Sequence, residues 1–319
     1  MSAGWVAAAV RSQAVARNRS GTAIARSLAS STSLQEAHDR LKGTLFAEAV
    51  DQPMSMNEVD RATRAMVLWE LRVLAGWMPP AGAGLARTLA AGYERDNIVG
   101  RLRELDGGPA EVPYELGALA TVWPNCLSAT SRAALLREAE RSASGSLAPL
   151  PAYISPGALH DVLTAAALRR LADTAPAASG WAAQAAAMLV ARILFVDRQV
   201  PPPAVVRLLG PLIGAGWATD ARFARGDPDE FEAFLARLPD RIRRALGGLS
   251  GADQLWQGEV RLRARIEGEA ARMIRSAEAG PNSVLAAVTL LDLDAWRIRA
   301  ALAAAAGGRG HSEVLDVVA

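Results

Sequence analysis

The chain has 319 residues, 51% of them hydrophobic, with a formal net charge of +2 at neutral pH. This length allows one large folded body or two to three smaller ones, each with a core of its own. Arginine and acidic residues alternate without basic runs, a pattern that argues against nucleic-acid binding. One cysteine, Cys126, excludes an internal disulfide framework and a cysteine metal site, so we expect a buried, inert thiol in a reducing compartment.

The composition favours helices. Alanine is the commonest apolar residue, only 5% of the residues are aromatic, and the basic residues are arginine apart from Lys42. Alanine, leucine and arginine lose little conformational freedom on entering a helix. No stretch of useful length alternates apolar and polar residues as a half-buried strand does. The sequence therefore predicts an all-α fold.

In the first 30 residues, Ala, Val and Ile alternate with Arg17, Arg19 and Arg26. This pattern is consistent with an amphipathic helix broken near Gly21. Packing of this helix on the body of the protein is favoured over attachment to a membrane surface. No basic region precedes the apolar run and no cleavage site follows it, so we expect no secretory leader. We interpret the protein as cytosolic and leave peripheral attachment to a membrane open.

Capping residues and prolines divide the first third of the chain. Capping boxes at Ser33 with Glu36 and at Ser55 with Glu58 each predict the start of a helix. The second of these helices ends at the prolines at 79 and 80, because a proline ring clashes with a continuing helix. A further helix is predicted at about 84–105. The sequence Asp-Gly-Gly-Pro that follows it is a turn by its chemistry.

The same order of a short apolar helix followed by longer ones recurs twice. Predicted helices lie at about 114–127, 131–141, 155–172, 179–196, 205–217, 227–247, 250–278 and 281–306. The repeat of about 100 residues is too long for the common solenoids, whose period is about 33–47 residues. We therefore expect three compact helical sections, 1–108, 109–200 and 201–319.

The last long helix, between Gly280 and Gly307, carries a regular apolar seam. Its apolar positions recur at steps of four and three residues, so one face is expected to pack on partner helices. Asp292, Asp294, Arg297 and Arg299 fall off that seam. Asp294 and Arg297 are three residues apart and are expected to pair.

Signals for catalysis or cofactor binding are weak. His38, His160 and His311 are far apart and have no ligand at metal-site spacing. No phosphate loop or nucleophile elbow is present, and the Asp-Asp-x-x-Asp signature of helical isoprenoid synthases is missing. Asp227 to Glu230 is explained by capping of a helix. We predict no enzyme, no cofactor and no metal.

A membrane span is not expected. The best window, 180–196, consists mostly of alanine and contains Gln184 and Arg192. It falls short of the roughly 20 strongly apolar residues that a spanning helix needs.

Two regions resemble a known family. The first region comprises residues 28–41, Thr44, residues 57–62, and Tyr93–Ile98 followed by Arg101 and Arg103. The second is the helix at 281–306, which is similar to a family helix that has an acid and then ends in Asn-Leu-Arg. Here the acid is Asp292, and the end reads Ala295-Trp-Arg297. Both resemble the central-rotor C subunit of the bacterial and archaeal V/A-type rotary ATPases, which is the relative of the d subunit of the eukaryotic vacuolar ATPases.

The two regions are also similar to each other. Asp292 matches Glu94, and Ala295 stands where the first region has Asn97. The tail at 311–317, a short predicted helix, is similar to the family's ending.

The resemblance implies a funnel of three pseudo-threefold-related helical bundles and a non-catalytic role. Family members link the central stalk to the membrane rotor ring and transmit torque for ATP-coupled proton or sodium transport. The implied partners are stalk subunits and the ring proteolipid, and the implied location is the inner face of the cell membrane, without a span. Arg101, Arg103, Arg297 and Arg299 are candidate partner contacts. The alternative is an unrelated all-helical adaptor or scaffold.

Overall fold

The computed structural model describes residues 3–50, 54–142, 149–220, 222–223, 227–276 and 278–307. Within these ranges the secondary structure is helical and no strand occurs, which confirms the predicted all-α class. The chain divides into two compact units. Unit 1 comprises Met1–Ala86 and Arg263–Ala319, and unit 2 comprises Arg87–Leu262. The three-section funnel, with boundaries after residues 108 and 200, stays a prediction.

Unit 1 combines helices from both ends of the chain. Its helices are α1 (Ala3–Arg17), α2 (Gly21–Ala29), α3 (Leu34–Leu41), α4 (Met56–Trp77) and, much later in the chain, α14 (Pro281–Ala306). The predicted break near Gly21 is observed, because α1 ends at Arg17 and α2 begins at Gly21. Helix α1 packs on α14 and α4, so the N-terminal segment lies on the body of the protein as expected.

The predicted helix starts are largely confirmed. Ser55 and Glu58 form a complete capping box at the start of α4, with the Ser55 N–H donating to Glu58 Oε2 at 2.8 Å. Ser33 caps α3 by accepting from the Glu36 N–H at 3.2 Å. The return bond at α3 differs from the prediction, since the Glu36 carboxylate accepts from Thr32 instead of Ser33.

Helix α14 is the core element of unit 1. It contacts α1, α2, α3 and α4, and it is buried on most of its circumference. A helix with apolar residues all round is typical of such a central position. The predicted seam is confirmed, because all of its positions are buried. Burial extends beyond the seam, since Asp294 and Arg297 are also buried and, of the four charged residues, only Asp292 is exposed.

Unit 2 contains the middle of the chain. Its helices are α5 (Ala83–Leu105), which starts at the boundary of unit 1, α6 (Trp123–Ser128), α7 (Arg132–Ser142), α8 (Pro156–Thr174), α9 (Ser179–Ala191), α10 (Pro203–Ile213), α11 (Phe231–Arg237), α12 (Asp240–Ala245) and the first part of α13 (Leu255–Arg275). Helices α8, α9 and α10 pack on one another. The single helix predicted at 227–247 is wrong: α11 and α12 are separate, because Pro239 cannot continue α11.

The most apolar helical segment lies in unit 2. Pro176–Val196, which includes α9 and a π-helical turn at Arg192–Val196, is long and apolar enough to cross a membrane by length and composition. In the part of the chain that the structure describes it is the one such helix, and 61% of its most apolar window is buried inside the protein. Burial of that kind is also what a core helix shows.

The π-helical turn directs Phe195 into an aromatic cluster. Its ring meets those of Phe231, Phe234 and Phe223 edge to face, with centroids 5.4, 5.5 and 6.4 Å away. All four rings are buried. Edge-to-face contacts of this kind add to the free energy gained from burial. The end of α9 therefore holds α11 and the chain before it through a single side chain.

We expect the substitution Phe195→Ala to destabilise the protein by about 3–5 kcal/mol, because it removes a buried ring and leaves a cavity among three others. Denaturant unfolding followed by circular dichroism measures this loss. Val196→Ala is the matched control, since Val196 is the next residue and is exposed. Equal losses for both variants would contradict a role of the Phe195 ring in holding the cluster together.

Candidate functional site: buried carboxylates and arginines of the long helices

Charged side chains that are buried or partly buried and have several hydrogen-bond or ion-pair partners lie on α5, α13 and α14. Among the described residues no group of three or more His, Cys, Asp or Glu is placed to hold a metal ion. His38 is buried on α3, and His160 of α8 lies near Asp161, with 3.5 Å between Nδ1 and Oδ1. His311 and the tail that resembles the family's ending lie outside the described residues.

Glu94 caps a helix from the middle of α5. Its side chain is buried, and Oε1 accepts from the N–H groups of Thr121, Val122 and Trp123 at 2.7, 2.9 and 2.9 Å. Oε2 accepts from the Thr121 hydroxyl. These N–H groups belong to the start of α6, where the helix itself offers no acceptor. The carboxylate thus satisfies the donors at the α6 N-terminus and complements its dipole.

Asn97 lies one turn further along α5 and holds the chain that leads to α6. Its Nδ2 donates to the Tyr114 carbonyl at 2.9 Å, and its Oδ1 accepts from the Tyr114 N–H at 2.7 Å. The Tyr114 ring in turn meets Tyr93 edge to face, with centroids 5.2 Å apart. Glu94 and Asn97 together fix the irregular segment between α5 and α6. The asparagine therefore has a structural role.

Asp294 makes a comparable contact from α14. Its Oδ2 accepts from the Ser20 N–H at 2.7 Å and its Oδ1 from the Gly21 N–H at 2.8 Å. Ser20 is right-handed and Gly21 is left-handed, with φ of +73°, so the two N–H groups form an anion-binding concavity at the start of α2. Only glycine adopts that conformation without strain. Glycine is thus favoured at position 21, because the backbone conformation that directs this N–H to Asp294 suits no other residue as well.

Burial of this carboxylate disfavours its ionised form. It raises the pKa of Asp294 above its ordinary value, although the two N–H groups and the nearby Arg19 and Arg297 favour the ionised form. Comparison of the two resembling regions of the sequence predicted that Asp292 corresponds to Glu94. The side chain whose contact corresponds to that of Glu94 is instead Asp294, while Asp292 is exposed.

Arg297 is the centre of an ion-pair cluster. Its guanidinium is 3% exposed and forms a two-pronged pair with Glu267 of α13, with Nη1 to Oε1 at 2.8 Å. Arg19 approaches the same carboxylate at 3.4 Å. The predicted pairing of Arg297 with Asp294 is therefore replaced by one with Glu267. Burial raises the pKa of Glu267, but its two arginine partners lower it by more, so that the pKa lies below the ordinary value.

The other three candidate arginines also have partners. Arg299 pairs with Asp60 of α4 at 2.9 Å, and its burial lowers its pKa. Arg101 donates to the Ala129 carbonyl at 2.9 Å and pairs with Glu104 at 2.7 Å. Arg103 is half exposed and meets Glu111 at 3.4 Å.

The predicted contact of these four arginines with a partner stays a prediction. Arg297 and Arg299 have structural roles within unit 1, where their guanidinium groups are mostly buried. Arg103 is the candidate whose side chain is most accessible, at 52% exposed. The test of a partner contact therefore belongs at Arg103.

Cys126 is buried on α6, as predicted. Burial, followed by the charges of Glu94 and Glu138, raises the pKa of its thiol to about 12. A thiol in that state is a poor nucleophile at neutral pH, because thiolate is the reactive form.

Comparison with known proteins assigns no family: no protein-family model matches the chain, and no curated protein matches it significantly. The residues and contacts above are therefore the basis for any statement about function.

We expect Asp294→Asn to destabilise the protein by about 1–3 kcal/mol, because an amide presents only one oxygen to two buried N–H donors. Thermal or denaturant unfolding measures the loss. Asp292→Asn, the same substitution two residues earlier at an exposed position, is expected to have no effect. Comparable effects of the two substitutions would show that the concavity at Ser20 and Gly21 does not depend on Asp294.

We expect Glu267→Gln to destabilise unit 1 by about 3 kcal/mol at neutral pH, because it leaves the buried Arg297 without its counter-charge. The folded-state pKa of Glu267 is depressed below its ordinary value of 4.5. Its contribution is therefore present above that pH and is lost as the pH falls through the folded-state value.

The measurement is the free energy of unfolding of both proteins from neutral to acidic pH. The difference between them should shrink below about pH 4.5, where the wild-type carboxyl also becomes neutral. Asp294, whose pKa shift has the opposite sign, is present in both proteins and largely cancels in the difference. Glu278→Gln, at an exposed position, is the control. A difference that stays constant with pH would contradict the ion pair.

Proposed function

We propose that this chain is a non-catalytic central-rotor subunit of a V/A-type ATPase. In this role it links the central stalk to the membrane rotor ring and transmits torque for ATP-coupled proton or sodium transport. Its partners are the stalk subunits and the ring proteolipid, and its place is the cytoplasmic face of the cell membrane. The proposal starts from the resemblance of separate stretches within 28–103, and of the helix at 281–306, to the C subunit of these enzymes.

The observation that carries the proposal is that one structural device occurs twice, in the two helices that the resemblance singles out. In α5, Glu94 binds the N–H groups at the start of α6, and in α14, Asp294 binds those at the start of α2. Each is a buried carboxylate within a long helix that anchors the beginning of a short one. Recurrence about 200 residues apart is what an internally repeated helical protein would contain.

The contacts also suit a torque-bearing role. Partly buried hydrogen bonds and ion pairs connect α14 to α2, to α13 and to α4 within unit 1. Close-packed interiors deform little and therefore transmit strain. The functional requirement on such a subunit is stiffness and two contact surfaces, for which no catalytic residue is needed.

A second candidate, a helical adaptor or scaffold of unrelated descent, is favoured by a different observation. The chain divides into two compact units, whereas the rotor proposal expects three related bundles. An adaptor needs only rigid helical units that present binding surfaces.

The test is purification of the affinity-tagged chain from detergent-solubilised membranes of its native host. We expect a P-loop catalytic subunit, a coiled-coil stalk subunit and a small proteolipid to co-purify in fixed ratio. Membrane vesicles from a strain that lacks the chain should lose ATP-driven ion uptake while retaining part of their ATP hydrolysis, because catalytic and ring parts are then uncoupled.

The substitution Arg103→Gln tests the candidate contact, and we expect weaker recovery of the stalk subunits. Arg141→Gln, at an arginine that is 68% exposed and pairs with Glu138, is the matched control. Recovery of the tagged chain without these subunits, together with normal ion uptake in the deletion strain, would reject the rotor function and favour the adaptor.

A further inference from the structure

The chain between α5 and α6 contains the longest unbroken run of exposed residues in the part of the chain that the structure describes. This run, here called the exposed segment, comprises residues 106–113 and follows the last turn of α5. Residues 108–116 have no regular secondary structure, and Val112 is 73% exposed. The exposed segment is therefore a surface feature of unit 2.

The backbone in the middle of the exposed segment has free hydrogen-bonding groups. The N–H and C=O groups of Ala110, Glu111 and Val112 have no hydrogen-bond partner among the described residues. The N–H groups of Gly107 and Gly108, by contrast, donate to carbonyls of α5. Proteins that bind an extended peptide do so through its main-chain groups and through pockets for its side chains. This part of the segment offers both.

Both ends of the exposed segment are held by side chains of unit 2. Arg132 of α7 binds the Asp106 carboxylate, with Nη1 to Oδ1 at 2.6 Å. Asn97 of α5 binds both the N–H and the carbonyl of Tyr114, at 2.7 and 2.9 Å. The residues between these anchors can therefore be bound by another protein while α5 and α7 stay folded.

The peptide bond after Glu111 is the best protease substrate within the exposed segment. The bonds that precede Pro109 and Pro113 suit few endoproteases, because their nitrogen lies in the proline ring and carries no hydrogen. The bond between Glu111 and Val112 is flanked by a carboxylate that is 52% exposed and by an exposed apolar side chain. Glu111 meets Arg103 at 3.4 Å, but an ion pair so exposed contributes little and opens at small cost.

We propose that the exposed segment is a recognition site for an endoprotease specific for acidic residues, which cuts between Glu111 and Val112 and leaves a folded protein of two pieces. Exposed loops of small and polar residues are preferred sites of such cuts. Water adds to the carbonyl carbon of Glu111 and the C–N bond breaks. The products are a carboxylate on Glu111 and an ammonium group on Val112. This site is independent of the rotor proposal.

The pieces are expected to remain together because each contributes helices to both units. The first, 1–111, contains α1 to α5, and the second, 112–319, contains α6 to α14. In unit 1, α14 of the second piece packs against α1, α2 and α4 of the first. In unit 2, Glu94 and Asn97 of α5 bind backbone groups of the second piece. The cut breaks one covalent bond and none of these contacts.

The experiment treats the purified full-length chain with a glutamyl endopeptidase under native conditions and follows the products by intact-mass spectrometry. Glu115 lies between two buried residues and Glu259 lies within α13, so the bonds after them are shielded. We expect the pieces 1–111 and 112–319 to form at least about tenfold faster than any piece that ends at Glu115 or Glu259, because those bonds become accessible only after local unfolding.

Two variants test the residue that is recognised. Glu111→Gln should slow the cut at least about 100-fold, because a pocket that binds a charged group rejects the neutral analogue. Glu259→Gln, the same substitution at an exposed position within a helix, is the matched control and should leave the rate unchanged. No cut after Glu111, an equal rate after Glu259, or an unchanged rate in Glu111→Gln would overturn the proposed site.

Size-exclusion chromatography and thermal unfolding test the two-piece protein. We expect both pieces to elute together at the volume of the intact chain, with unchanged helical circular dichroism. The unfolding midpoint of the cut protein should rise with protein concentration, because unfolding now releases two separate chains. Separation of the pieces without denaturant, or loss of the helical signal on cutting, would overturn the proposal that they remain a folded protein.

Discussion

A carboxylate buried within a long helix and bound by backbone N–H groups of another helix is the constraint on which both units depend. An isolated buried carboxylate would be strongly unfavourable, because it loses its hydration. Glu94 and Asp294 recover those interactions from helix N-termini whose donors would otherwise be unpaired. Each contact therefore replaces the lost hydration of a carboxylate and also satisfies the N–H donors of a helix N-terminus. It thereby fixes where α6 and α2 can begin.

The same constraint explains why α14 occupies the centre of unit 1. Its apolar residues fill the space among α1, α2, α3 and α4, but apolar packing tolerates small shifts along a helix axis. The charged contacts do not tolerate such shifts, because the hydrogen bonds of Asp294 and the two-pronged pair of Arg297 require particular geometry. Burial raises the pKa of Asp294, whereas ion pairing lowers that of Glu267. The contributions of these two carboxylates to the free energy of unfolding therefore change with pH in opposite directions.

The sequence predicted the helical class, most helix starts and the break before Gly21, because capping residues and prolines act locally. It did not predict which charged residues are buried. Asp292 and Asp294 look alike in sequence, and only the approach of Ser20 and Gly21, more than 270 residues away, distinguishes them. The stretch between Tyr93 and Ile98 contains two acids, Glu94 and Asp96, and nothing local distinguishes the buried Glu94 from Asp96. Pro239, by contrast, is a local signal, and it is enough to divide the helix predicted at 227–247.

Unit 1 pairs the charges that its helices bury. Arg11, Arg19, Arg297 and Arg299 each meet an acidic residue inside the unit. Glu70 and Arg297 are buried, whereas the side chain of Asp60, the partner of Arg299, is 47% exposed. A buried charge without a partner is strongly unfavourable, so these pairs limit how far α1, α4, α13 and α14 can shift against one another.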